Sequence, residues 1–201
     1  MKIADLPLPS TQASSLALQV AQRFHSPGLV NHCRRSYLWA AALGVQRGLD
    51  FDAELLYVSA MLHDIGLTAA FDNHTVDFET AGGYVGWVFA AGAGWPAERR
   101  DRVGEIIVRH MWQSVDPAFD AEGFLLESAT SLDITGHQPQ LWPTEFCAEV
   151  IASIPRLDLA VEFARCFTEQ AERKPDCNAA RSVRNGIVER LAANPLEQLA
   201  K

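Results

Sequence analysis

Apolar residues recur along this chain at the three- and four-residue spacing of helices, and no stretch alternates long enough to make a strand. Ser10 or Thr11 is suited to cap a first helix that runs to about Phe24, where Ser26-Pro27-Gly28 breaks the pattern. A second helix is expected from about Leu29 to Arg47, with Gly48 at its C-terminal end. Asp50 or Asp52 caps a third, whose apolar face carries Leu55, Leu56, Ser59 and Leu62 and which ends at Gly66, just after His63-Asp64. Residues 67–77 read as a polar loop with a turn at Asp72-Asn73. Further helices follow from Phe78 to Ala91, from Pro96 through Val103, Ile106, Ile107 and His110, and from Glu122 to Ile134. The last three run from Pro143 to Ile154, Asp158 to Glu172 and Asn178 to Ala192. The pattern predicts an all-α, single-domain helical bundle of about eight or nine helices. Residues 1–27 form a lead-in helix, 28–175 the core, and 176–201 a C-terminal helix packed on the same domain.

Composition narrows the functional classes. A chain of 201 residues suffices for one sizeable core, and 48% hydrophobic against 21% charged residues argues against disorder. The net charge of −8 repels phosphate backbones and anionic bilayers, which argues against polymeric nucleic acid or a membrane as partner. A small anionic substrate stays open, because a bound cation inverts the local field. The N-terminal stretch MKIADLPLPS lacks the apolar run of a secretory leader, and no segment approaches the ~20 apolar residues that span a bilayer. Cys33, Cys147, Cys166 and Cys177 form no CxxC pair and read as buried thiols of a reducing, cytoplasmic protein. The expected partner is a small-molecule substrate; a homodimer through a helical face stays open.

The chemistry concentrates on few positions. His63 and Asp64 are adjacent on a helix and point about 100° apart, so an ion lying between those directions receives both. Alone, the dipeptide reads equally as a helix end with two polar caps. His32 falls near the start of the preceding helix, one antiparallel hairpin earlier, where it can meet His63. Asp133 lies on the apolar face of its helix, and a buried carboxylate needs a cation or several donors. The alternative partner for Asp133 is an arginine such as Arg34, Arg35 or Arg109. Two imidazoles and two carboxylates suit zinc, manganese, iron(II), cobalt or nickel.

In the context Ala60-Met61-Leu62-His63-Asp64-Ile65-Gly66, with His32 before it and Asp133 after it, the chain resembles the HD superfamily of metal-dependent hydrolases. Similarity through Phe78-Glu79-Thr80-Ala81-Gly82-Gly83, Glu105–His110 and Ile154–Leu157 extends it over about residues 30–174, toward the cyanamide hydratase branch. The resemblance implies an HD-type bundle with the metal in its core, held by His32, His63, Asp64 and Asp133. It implies one divalent transition metal, since only His74 and His110 lie between the dipeptide and Asp133. It further implies that a metal-activated water attacks a small nitrile- or cyanamide-like electrophile, cyanamide giving urea. The alternative activity is a phosphohydrolase acting on a nucleotide or phosphate monoester, with Arg34, Arg35 or Arg109 beside the metal. A non-catalytic helical interaction domain is a third reading.

Asp64 is the expected ligand that also orients the nucleophile, and His110 and His74 are candidate proton shuttles. Glu79 is either an acceptor behind a ligand histidine or a favourable charge in the first turn of its helix. His137 reads as structural and His25 as a surface residue. The glycines at 82, 83 and 86 suggest close packing or room for a ligand. The tryptophans read as core or pocket walls, Trp112 among the latter. Met111-Trp112-Gln113 departs from the polar residues usual after the histidine in that branch.

Overall fold

Ten α-helices run through residues 1–199, the part of the chain that the computed structural model describes, and no strand occurs among them. They are α1 (Gln12–Phe24), α2 (Pro27–Arg47), α3 (Ala53–Leu62), α4 (Phe78–Gly92) and α5 (Ala97–Arg109), followed by α6 (Ala121–Thr135), α7 (Thr144–Ser153), α8 (Leu159–Arg173), α9 (Asn178–Arg184) and α10 (Ile187–Ala192). Residues 200 and 201 of the expected C-terminal segment lie outside the described residues. No described helix is long and apolar enough to cross a membrane.

The helix ends follow local chemistry. Thr11 Oγ1 accepts the Ser14 N–H at 3.1 Å to start α1, and Ser26 Oγ accepts the Leu29 N–H at 3.2 Å to start α2, with Pro27 in its first turn. Asp52 Oδ1 accepts the Leu55 N–H at 2.9 Å to start α3. One expected helix, from Asn178 to Ala192, is two. Gly186 takes φ +77°, a left-handed conformation costly for residues with a Cβ, and the chain turns there between α9 and α10.

The central helix α2 buries most of its surface, packing against α3 on one side and α6 on the other. α3 also packs on α5, and α4 and α5 form the most extensive pair. Gly66 makes the crossing possible: a Cβ there would stand 2.0 Å from the Phe78 carbonyl, at the start of α4. The glycines of α4 serve close packing, since a Cβ at Gly86 would meet Ile107 at 2.6 Å and Val103 at 2.8 Å. Two apolar clusters result. The larger joins α1 to α7, and the smaller lies under α8, α9 and α10 around Phe78, Phe163 and Phe167. The end of α3 lies between them.

The 67–77 loop is strapped to α8. Asn73 Oδ1 accepts the Thr75 and Val76 N–H groups at 2.7 and 3.0 Å, while Lys174 Nζ donates to the Asn73 and Val76 carbonyls at 2.8 and 2.9 Å. Gln170 Nε2 and Arg173 Nη2 reach the Asp72 carboxylate at 2.8 and 2.5 Å.

Candidate metal centre

His32 stands near the start of α2, and His63 and Asp64 directly follow α3; all three are buried. Their facing atoms form a small triangle. His32 Nε2 lies 3.1 Å from His63 Nε2, and the two are 3.3 and 3.2 Å from Asp64 Oδ2. The tautomers decide what this triangle is. His32 Nδ1–H donates to Asp133 Oδ2 at 2.7 Å, and His63 Nδ1–H donates to the Ala60 carbonyl at 2.8 Å. With Nδ1–H so committed, each Nε2 meets the other and Asp64 Oδ2 as a lone pair unless it carries a second proton; burial lowers the His32 pKa, but the hydrogen bonds to Asp133 and Asp64 raise it overall.

Asp64 adds a third electron-rich group, and neither of its buried oxygens accepts a hydrogen bond from the protein. Such a cluster calls for a proton or a metal cation at its centre. Ligand atoms around an ion at ~2.1 Å are separated by about 3.0 Å in octahedral and 3.4 Å in tetrahedral geometry, so the observed edges fit a divalent transition metal. His32, His63 and Asp64 could supply two imidazoles and one carboxylate to one side of such an ion.

Asp133 takes a different place from the fourth ligand expected of it. It is fully buried behind His32, where Oδ1 accepts from Arg35 Nε at 2.8 Å and Trp39 Nε1 at 3.0 Å. Oδ2 accepts from Arg35 Nη2 at 2.8 Å and from His32. Burial alone would raise its pKa, but the Arg35 fork, Arg156 and His32 hold the carboxyl well below its usual range. The competing partner weighed in the sequence, an arginine, occupies both oxygens. Asp133 thereby orients His32 and raises its basicity as a carboxylate behind a ligand imidazole does.

His110, at the end of α5, joins the three. Its Nδ1–H donates to the Ile107 carbonyl, its Nε2 lies 3.8 Å from Asp64 Oδ1, and its ring meets that of His63 edge-on at 4.8 Å. Burial and the neighbouring His63 lower its pKa to about 3, so it is neutral at working pH. Phe163 packs edge-on against His32 at 5.9 Å and Phe78 against His110 at 5.7 Å, lowering the local dielectric.

Other expectations are corrected. His74 is exposed in the strapped loop, with Nδ1 3.2 Å from Arg173 Nη1, and does not reach the centre. His25 is buried rather than superficial. It lies beside the His63-Asp64 turn with Nδ1 3.9 Å from Cys33 Sγ, and burial brings its pKa to about 4. Glu79 backs no ligand histidine: its Oε1 accepts from Asn178 Nδ2, and Oε2 is buried without a partner. Arg34 is exposed, Arg35 is committed to Asp133, and Arg109 pairs with Asp120 at 2.5 Å. None of them lines the cavity above the centre.

That cavity measures about 270 Å³. His32, His63, Asp64 and His110 form one part of its wall, Phe163, Phe167 and Met111 an apolar part, and Trp112 a part of its rim. α6 adds Glu127, Thr130, Ser131, Ile134 and Thr135, and a further wall, unforeseen in the sequence, comes from α9 and α10: Asn178, Arg181, Ser182, Asn185, Ile187 and Arg190. His137 is exposed at the same rim.

Residues 29–122 match the family model of the HD domain. Among curated proteins the chain is similar to two cyanamide hydratases of Saccharomyces cerevisiae, DDI2 and DDI3. Each is 29% identical over 177 residues, which cover 86% of this chain and 78% of the yeast protein.

Proposed function

We propose, from the premise that this chain belongs to the HD-domain family and is a metal-dependent hydrolase or hydro-lyase, that it adds water to a small nitrile- or cyanamide-like electrophile. The observation that carries this reading is the neutral Nε2 of His110 facing Asp64 Oδ1 at 3.8 Å, beside the triangle of His32, His63 and Asp64. Both atoms are acceptors, so a water between them donates one hydrogen to each and turns a lone pair outward. The three ligands would hold one divalent ion, zinc, iron, manganese, cobalt or nickel, which when bound acidifies water and polarises the electrophile. His110 takes the water proton as the new C–O bond forms and returns it to the nitrile nitrogen, giving R–C(OH)=NH, whose hydroxyl proton then passes to the same nitrogen. The sum is R–C≡N plus water giving R–CO–NH2; cyanamide gives urea. An imidazole with a pKa near 3 holds that proton only briefly, so it serves as a relay rather than a store. The aromatic wall of Phe78, Phe163 and Phe167 keeps bulk water away from the reacting carbon.

A phosphate monoester is the second reading. It calls for a cation close to the transferred phosphoryl group; Arg35 already binds both oxygens of Asp133, which leaves Arg181 and Arg190 on the cavity wall as the cations open to that role. The test is metal content of chelator-treated and reconstituted protein, with turnover of cyanamide and of an aryl phosphate on the same sample. One metal per chain with urea release supports hydration. One metal with phosphate release alone moves the protein to the second reading.

A further inference from the structure

Two features of the cavity have no use in hydrating a molecule as small as cyanamide. At about 270 Å³ it approaches the ~300–1,000 Å³ of sites that enclose drug-sized ligands. It is also lined by two guanidinium groups, Arg181 on α9 and Arg190 on α10, neither with an ion-pair or hydrogen-bond partner among the described residues. Both are exposed, and Arg23, Arg34, Arg47 and Arg184 likewise have no ion pair among the described residues; what sets Arg181 and Arg190 apart is that both line the cavity. Arg35, Arg99, Arg102, Arg109, Arg156 and Arg173 all pair with aspartate or glutamate.

Their convergence is a product of the break at Gly186. Nine residues separate Arg181 from Arg190, so on one continuous helix they would point about 180° apart. The left-handed turn reorients α10 and brings both to one cavity. α9 is also fixed in place: Asp77 Oδ2 accepts the Asn178 N–H at 3.2 Å and Glu79 accepts its side-chain amide. Asn178, Ser182 and Asn185 add neutral hydrogen-bonding groups to the same wall. Glu127 is the acidic residue facing it from α6, with one oxygen 3.1 Å from Ser131 Oγ and the other 3.4 Å from Ser128 Oγ.

From this arrangement we propose that Arg181 and Arg190 form an anion-reading subsite, and that the substrate is an electrophile carrying a carboxylate or phosphate on a short arm. The inference rests on the proposed hydration for what happens at the other end of the substrate. Guanidinium groups match planar oxyanions with paired, charge-assisted hydrogen bonds, so discrimination against a neutral analogue should be large.

Calorimetric titration of zinc-loaded protein with 3-cyanopropanoate, 2-cyanoethyl phosphate and neutral butanenitrile tests it. The expected result is a preference of about 10- to 100-fold for an anionic probe over butanenitrile. The tighter of the two anions identifies the arm. That preference should disappear in the Arg181→Gln, Arg190→Gln double variant and persist in Arg184→Gln, whose guanidinium donates instead to the Pro175 carbonyl at 2.8 Å. Unchanged zinc content and melting temperature verify that the double variant is folded. Equal binding of anionic and neutral probes by the native protein overturns the proposal. So does a preference that survives in the double variant, because the anion then sits on the metal itself. If the anion binds through the arginines but no nitrile is hydrated, the subsite stands and the proposed reaction falls. If cyanamide is hydrated while all three probes bind alike, the reverse holds.

Discussion

Asp133 acts on the centre through His32: its Oδ2 accepts His32 Nδ1–H at 2.7 Å and so points the opposite nitrogen of that ring at His63 and Asp64. The Arg35 fork keeps the carboxylate in that position. Asp133→Asn should therefore weaken metal affinity about 10- to 100-fold without abolishing it, the usual cost of losing a partner behind a ligand. Chelator competition measures this. An affinity loss as complete as that of His63→Ala would make Asp133 a direct ligand.

Asp64 completes the triangle with the one negative charge on its open side. Burial alone would raise its pKa, but His63 and His32, at 3.2 and 3.3 Å, hold the carboxyl well below its usual range. Asp64→Asn keeps the shape and removes that charge. The variant should lose metal and turnover together while remaining folded, read as metal content, activity and far-UV circular dichroism on one sample. Full metal content in the variant would contradict the assignment.

His110 is assigned proton transfer and no ligation. His110→Gln should reduce kcat by about 10²- to 10⁴-fold, with metal content unchanged and little effect on KM. Loss of metal in this variant would make it a ligand instead.

Glu79 gives the protein a pH-dependent weakness away from the centre. Its burial, followed by the nearby Asp77, raises its pKa to about 7. In the unfolded chain a glutamate titrates near ~4.3. The folded state thus favours the protonated form, and stability falls as pH rises between those two values, then levels off. Glu79→Gln cannot titrate and keeps an oxygen for Asn178. It should match the native protein at about pH 4 and exceed it by roughly 1–3 kcal/mol above pH 8, in denaturant unfolding at both values. A stability difference independent of pH would refute the assignment.

Much of the centre was legible because its signals are local. The apolar spacing around Leu55, Leu56 and Leu62 defines a helix and the face it buries, and an antiparallel hairpin suffices to bring His32 to His63. The residues following α3 carry both His63 and Asp64, whatever the remainder of the chain does.

Where the outcome turned on partners distant in sequence, the chain left several options and the fold selected one. Asp133 had both a metal and an arginine within its reach; the packing of α2 on α6 delivered Arg35 and Trp39 to both its oxygens. His74 follows the His63-Asp64 turn in sequence but faces outward, because Lys174 and Arg173 bind its loop to α8. On the single helix expected from Asn178 to Ala192, Arg181 and Arg190 would lie on opposite faces, and Gly186 divides that helix. A helix declares its buried face through its own periodicity. Which charged groups meet across helices depends on how those faces dock, and here that docking chose the partner of Asp133 and the far wall of the cavity.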